Sequence, residues 1–282
     1  MKNNTTLLGN DFFDQNKWNE EAAYYAVMNS MEADGTGRVL ELLSFGPEDT
    51  VLDIGCGSGR MSIPMARKVK EVTAIDSSSE MIRICKENAA AAGVTNVNAL
   101  QLDWEKDEDY RQLPKVDIII QARWSGGASR LKKYCDLCRK YVVIIEWEKN
   151  PPRIARDLLF SGCYSEESMA AHPELYPFDP SAYTDQNETK KVKDERDKAL
   201  RRELAEAGIQ MHKATVQSGW EYTAEDMQGI IRKILQLSRY PELVSAERLE
   251  ENLKPYIRTA GTGLTFYMPT WEKVEWFFVP EQ

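Results

Sequence analysis

Three glycines at alternate positions, Gly55, Gly57 and Gly59, close the apolar run that begins at Val51 in V-L-D-I-G-C-G-S-G-R. An apolar run ended by glycines and followed by helix formers reads as a strand, a tight turn and a helix start. Glycine adopts backbone angles that a side chain forbids, and it lets a ligand lie against the main chain. Two further apolar segments end in acids at matching places, V-T-A-I-D at Asp76 and A-L-Q-L-D-W at Asp103 and Trp104. A carboxylate about twenty residues past such a turn is where a ribose diol finds its acceptor. The chemistry in prospect is the holding of a nucleoside-bearing ligand. The dinucleotide form of the turn wants glycine or a small residue three places after the second glycine, and Arg60 stands there. A pyrophosphate against the helix start is therefore not favoured.

With Asp53 two residues before the first glycine, the G-x-G-x-G run resembles motif I of class I S-adenosylmethionine (SAM) methyltransferases. The resemblance covers about residues 40 to 150. It implies SAM as cofactor, S-adenosylhomocysteine as product, and cofactor contacts at Asp53, Gly55, Cys56, Gly57, Gly59, Asp76, Ser77, Met81, Asp103, Trp104 and Gln121. In that family an acid and its neighbours after the third strand grip adenine, the acid accepting from the exocyclic amine. Plainer readings stand beside these. Asp76 can cap the helix that starts near Ser79, and Trp104 can be core.

The elements that must position these residues alternate. From Val51 the order is strand, helix (about 59 to 69), strand (about 72 to 76), helix (about 79 to 92) and strand (about 97 to 102), with V-D-I-I-I-Q (116 to 121) and Y-V-V-I-I-E (141 to 146) as two more. The last two are apolar almost throughout, as parallel strands covered on both faces must be. Strands alternating with helices call for right-handed crossovers and a doubly wound α/β sheet. The expected fold is a mostly parallel seven-stranded sheet, class I methyltransferase-like, with N-terminal helices and a helical cap inserted after strand five. Ligands then sit beyond the carboxyl ends of the strands, where Gln121 and Glu146 join the acids.

The chain reads as a single domain over 1–282. Within it, 1–45 holds helices over the pocket, with a break near Asp34-Gly35, and 46–150 is the SAM-binding core. The stretch 151–263 is a helical cap with strand six near Ile209 to Gln217, and 264–282 is a hairpin over P-T-W-E. The acceptor side draws its candidates from Glu146, Trp124, Tyr24 and His172, the last because imidazole titrates near working pH. The plainer reading of His172 is an exposed loop residue before Pro173, and that of Glu146 a helix-proximal surface acid.

A net charge of −9 and a pI near 5.0 advertise no basic face, so a small-molecule acceptor is expected and nucleic acid is not. A protein or tRNA acceptor, or a non-catalytic SAM-binding regulator, is the alternative. No run reaches the ~18 apolar residues of a membrane-spanning helix and the start lacks a signal-peptide core, which points to a cytoplasmic protein. Five cysteines at irregular spacing suit reduced thiols, and the lone C-x-x-C of Cys135 and Cys138 suits packing more than a metal.

Overall fold

A computed structural model describes residues 15–123, 130–149, 152–172 and 188–280. Two helices, α1 (Gln15–Ser30) and α2 (Ala33–Glu41), lead into β1 (Thr50–Ile54). Then come α3 (Ser62–Ala66), β2 (Glu71–Asp76), α4 (Ser79–Ala91), β3 (Val97–Gln101), α5 (Asp107–Tyr110), β4 (Val116–Ala122), α6 (Arg130–Leu137) and β5 (Cys138–Lys149). The second half holds α7 (Pro152–Leu159), α8 (Glu166–Ala171), α9 (Glu188–Glu206), β6 (His212–Ala224), α10 (Met227–Leu235), α11 (Ala246–Leu253), β7 (Ile257–Ala260) and β8 (Gly263–Phe278).

The strand order is β3-β2-β1-β4-β5-β8-β6, with β7 also paired to β8. The pairs among β1 to β5 are parallel, whereas β8 runs antiparallel to β5, β6 and β7. The order reverses between β1 and β4, which is the switch point where a doubly wound sheet opens a crevice. On one face α2 and α3 bury Val39, Leu40, Met61 and Met65 against Val51, Ile118 and Val143. On the other, α6 and α9 bury Leu131, Tyr134, Leu200 and Leu204 against Leu52, Ile119 and Val142.

Four expectations change. The break between the first helices falls at Met31 and Glu32, and Asp34-Gly35 lies in the first turn of α2. Gly35 is there for close approach, since a Cβ built on it would stand 1.8 Å from Ser218 Oγ of β6. The sheet has eight strands among the described residues, one more than expected. The C-terminal hairpin over P-T-W-E does not form, because β8 runs unbroken through Pro269. Pro269 sits opposite Gly219, between the stretches of β8 that pair with β5 and with β7, which is where a strand tolerates a missing donor. The hairpin is instead β7 to β8, closed at 261–262 with Gly261 at φ +59.

The stretch after β5 is also not one helical cap. Leu200 and Leu204 of α9 join the core of the sheet. The cap proper gathers Leu159 of α7, Ile230 and Ile234 of α10, and Leu249 and Leu253 of α11. These close on Trp220, Phe266 and Met268 of the extended strands, on Met28 of α1 and on Met31 just after it. It is thus built partly from sheet. Among the described residues, no helix is long and apolar enough to cross a membrane.

Candidate functional site

The glycine turn is fixed from below by β2. Gly55 and Cys56 both donate their N–H to the Ile75 carbonyl, each at 2.9 Å. At the end of that strand Asp76 accepts from Gly57 N at 3.0 Å and from Ser78 N at 2.9 Å, so its carboxylate ties the first loop to the second. Burial raises the Asp76 carboxyl, and these backbone donors oppose the rise. The two inner glycines differ in purpose. Gly57 has φ +53 and only Met81 Sδ, at 3.9 Å, near the place of a Cβ, so one side of the turn is open. Gly59 has φ +90 and a Cβ there would meet Ile63 Cδ1 at 2.9 Å and Cys85 Sγ at 3.0 Å, so its role is packing. Cys56 is buried, and its thiol is pushed well up by a hydrogen bond with Cys85 and by burial.

Helix α1 closes the approach with amides. Asn19 Oδ1 accepts from Ser78 Oγ at 2.7 Å and Glu80 N at 3.3 Å, and Asn29 donates to Ser58 Oγ at 2.9 Å. The sequence did not single out either asparagine, because α1 carries no apolar stripe against which they would stand out. Ser78, not Asp76, caps α4, accepting from Met81 N at 3.1 Å. Ser77 lends its carbonyl to Gln101 at 3.1 Å.

Asp53 is buried at 1% exposure, accepts from Ser62 Oγ at 2.5 Å, and has no partner for Oδ1 among the described residues. Desolvation pushes its carboxyl up from 3.8 to about 6, against the Ser62 hydrogen bond and the Arg60 guanidinium. A carboxyl raised in this way favours the folded state while protonated. That contribution is complete below the unfolded value near 3.8 and is lost as pH rises through about 6. Asp53→Asn is therefore expected to raise the melting temperature at pH 7.5 and leave it near wild type at pH 3.5, the full difference being on the order of 3 kcal/mol. Thermal denaturation at both values checks this, and a lower melting temperature at pH 7.5 would refute it.

The pieces after β3 part company. Asp103 keeps a side chain 35% exposed, with Oδ1 accepting from Glu105 N at 3.0 Å, and remains within reach of a ligand. Trp104 does not. It is 3% exposed, stacked on Tyr134 at 6.0 Å and edge-on to Tyr110 at 5.8 Å. Its expected place on adenine is corrected: the indole is core, since a ring covered on its faces has none to offer. Gln121 is buried opposite Ile54 and accepts from Tyr134 OH at 2.5 Å.

The acceptor-side candidates are not brought together. Trp124 lies outside the described residues, as does 173–187 of the expected cap. Glu146 is buried within β5 opposite Lys273 of β8, so it is neither a surface acid nor at a strand end. Tyr24 sits edge-on to Tyr25 at 5.2 Å under Arg156, and burial pushes its phenol far up, which leaves it a donor and no base. His172 ends α8 with its ring 4.2 Å from Tyr240, in the cap. What stands at the carboxyl edge instead is a buried charge quartet that no local pattern announced. Arg123, at φ +60, binds Glu32 at 2.7 Å and Glu272 at 2.6 Å and lies 3.3 Å over the Trp147 ring. Arg60 joins Glu272 at 3.2 Å, and Trp220 Nε1 donates to Glu32 at 3.0 Å. Among the described residues, no group of three or more His, Cys, Asp or Glu is placed to hold a metal ion.

Residues 46–155 match the family model described as a methyltransferase domain. The 23S rRNA (uracil(1939)-C(5))-methyltransferase RlmD of Photobacterium angustum is 30% identical over 123 residues, 43% of this chain and 55% of that one. Its counterpart from Haemophilus influenzae (strain 86-028NP) is 28% identical, over 42% of this chain and 27% of the relative. The chain thus spans from about a quarter to just over half of these curated relatives. A solved SAM-dependent methyltransferase from Thiobacillus denitrificans, in complex with S-adenosyl-L-homocysteine, is 16% identical with a TM-score of 0.46, over 91% of this chain and 96% of that one. The rRNA relatives overturn the expectation of a small-molecule acceptor with nucleic acid unlikely. That expectation leaned on whole-chain charge, which constrains a sum and says nothing of its distribution. The match to the methyltransferase-domain model lies over the glycine turn, the two strand-end acids and the parallel strands that carry them, so it is the cofactor-side core of this chain that is similar to that family.

Proposed function

We propose that this protein transfers a methyl group from SAM to a uracil base of RNA, with ribosomal RNA the first candidate. One observation carries the reading: relatives at 25 to 30% identity across 42 to 48% of the chain are 23S rRNA uracil methyltransferases. Charge distribution supports it, since the segment Arg130 to Lys140 holds five Lys and Arg against one Asp in a chain of net −9.

The residues present fit the cofactor. An open side at Gly57, a carboxylate at Asp76 with lone pairs to spare, and the partnerless Asp53 Oδ1 offer room, a ribose acceptor and a site for an ammonium. In this reading Asp103 accepts from the adenine amine, and Met81 flanks the turn. When bound, SAM supplies an electrophilic methyl on sulfur. The chain's own part is to hold the acceptor base in line with that methyl at near-attack distance, the hydrogen that the new bond displaces from the base leaving as a proton to water.

Incubation with methyl-tritiated SAM and unmodified 23S rRNA transcript checks this, with tRNA and duplex DNA alongside. Label is expected in the rRNA at a uracil. If S-adenosylhomocysteine binds yet no RNA takes up label, the RNA reading is wrong.

A further inference from the structure

The ribbon of β6 and β8 has one covered face and one open face. Its even-numbered residues, among them Trp220, Tyr222, Phe266 and Met268, pack under the cap. Side chains alternate along a strand, and the odd-numbered Thr215, Gln217, Glu221 and Thr223 of β6 are exposed on the other side. Gly219 interrupts that exposed row and is buried, because the ring of Tyr267 lies across it. A Cβ built on Gly219 would stand 2.8 Å from Tyr267 Cε2 and 3.0 Å from Cζ. A glycine inside a strand marks such a close approach. The phenol is also pinned at its hydroxyl, which donates to the Ser218 carbonyl and accepts from Gln217 Nε2, each at 3.3 Å.

Two cations flank this ring. Arg258 of β7 lies over it, 4.9 Å from the centroid, and Arg38 of α2 donates Nε to the Gln217 carbonyl at 2.7 Å. Both arginines are exposed, and neither is in an ion pair among the described residues. Against them the open face sets Glu221 as an acid without a cation of its own, since Glu148 is held by Lys213, and Glu275 by Lys273 and Arg201. The surplus is positive here, in a chain of net −9. An aromatic ring laid on an antiparallel sheet, with unspent cationic donors on both sides, can stack one base and hold the phosphates that flank it. A duplex keeps its base faces stacked inside and cannot use the ring. The ribbon leaves the core where Trp271 pairs with Lys149 at the end of β5, so the open face begins at the carboxyl edge that carries the cofactor residues.

We propose that this open face is the track for a single-stranded RNA segment leading to the acceptor base, with one base stacked on Tyr267 and its flanking phosphates on Arg258 and Arg38. This rests on the RNA reading above and deepens it, naming the form of RNA that is taken and the surface that takes it.

The test follows the fluorescence anisotropy of a short labelled oligouridylate titrated with the full chain, saturated with S-adenosylhomocysteine. The same strand annealed to oligoadenylate serves as the duplex. The single strand is expected to bind about tenfold more tightly than the duplex, and Tyr267→Leu to weaken it about fivefold or more. Tyr267→Phe keeps the ring and should stay within twofold of wild type, and both variants should keep wild-type affinity for S-adenosylhomocysteine. Arg38→Gln and Arg258→Gln should each lower the slope of log affinity against log salt by roughly 0.7. A wild-type protein that binds no oligouridylate, equal binding of strand and duplex, or a Tyr267→Leu protein with unaltered RNA affinity overturns the track. So does sedimentation in which Tyr267→Leu splits a wild-type dimer, which would make the face a contact between copies. Labelled rRNA with no dependence on Tyr267 sinks the track and spares the RNA function. Tyr267-dependent strand binding without labelled rRNA supports the track and sinks the methyl-transfer reading.

Discussion

Gly57→Ala is expected to lower affinity for S-adenosylhomocysteine at least a hundredfold while costing the fold only about 1 to 2 kcal/mol. The stability cost is that of a Cβ in the left-handed region, since φ is +53 and the nearest atom to the new methyl is Met81 Sδ at 3.9 Å. No protein atom objects, so any larger loss must come from the ligand that the open side admits. Gly59→Ala is the matched control. Its methyl would meet Ile63 at 2.9 Å and Cys85 at 3.0 Å, so it should lose stability first and affinity only in proportion. Calorimetric titration beside thermal melts separates the two, and a Gly57→Ala protein with wild-type affinity would mean that the cofactor does not lie against this residue.

Arg123→Met is expected to destabilise the protein by about 3 to 5 kcal/mol, the usual cost of breaking a buried ion pair by removing one partner. Burial opposes ionisation of Glu272, yet the Arg123 and Arg60 guanidiniums together hold its carboxyl below the ordinary value. Without Arg123, Glu32 keeps only the Trp220 N–H and the nearby Arg60 charge, and Glu272 keeps Arg60 alone. Arg123→Lys should not rescue it, because a point ammonium can neither bridge two carboxylates as a fork nor lie flat on the Trp147 ring. Adding Glu272→Met to Arg123→Met should recover part of the loss. Denaturant melts giving under 1 kcal/mol for the single variant would show that the quartet is wet.

The parallel half of the fold was readable because its cues are local. Val116 to Gln121 and Tyr141 to Glu146 are apolar runs that only a doubly covered strand tolerates, and Asp76 ends a strand at a fixed distance from a glycine turn. Trp104 misled for the same reason: the residues beside a strand-end acid do not say on which side of the sheet an indole will turn. The quartet was unreadable, since Glu32, Arg60, Arg123 and Glu272 come from four distant segments and become neighbours only when β8 inserts beside β5. Pro269 suggested a turn because a missing donor is a strong local sign, and only the pairing of β8 explains how a strand passes through it.

A module hung from its core by flexible loops can be cut away and exchanged. Here β6 and β8 stay paired from His212 with Trp276 to Ala224 with Leu264, starting inside the core and ending under α10 and α11. Deleting the outer module would take half of two structural strands with it. The same continuity removes any hinge along that ribbon, and heat should melt core and module in one transition, with no stage at which the module has come loose and the core still stands.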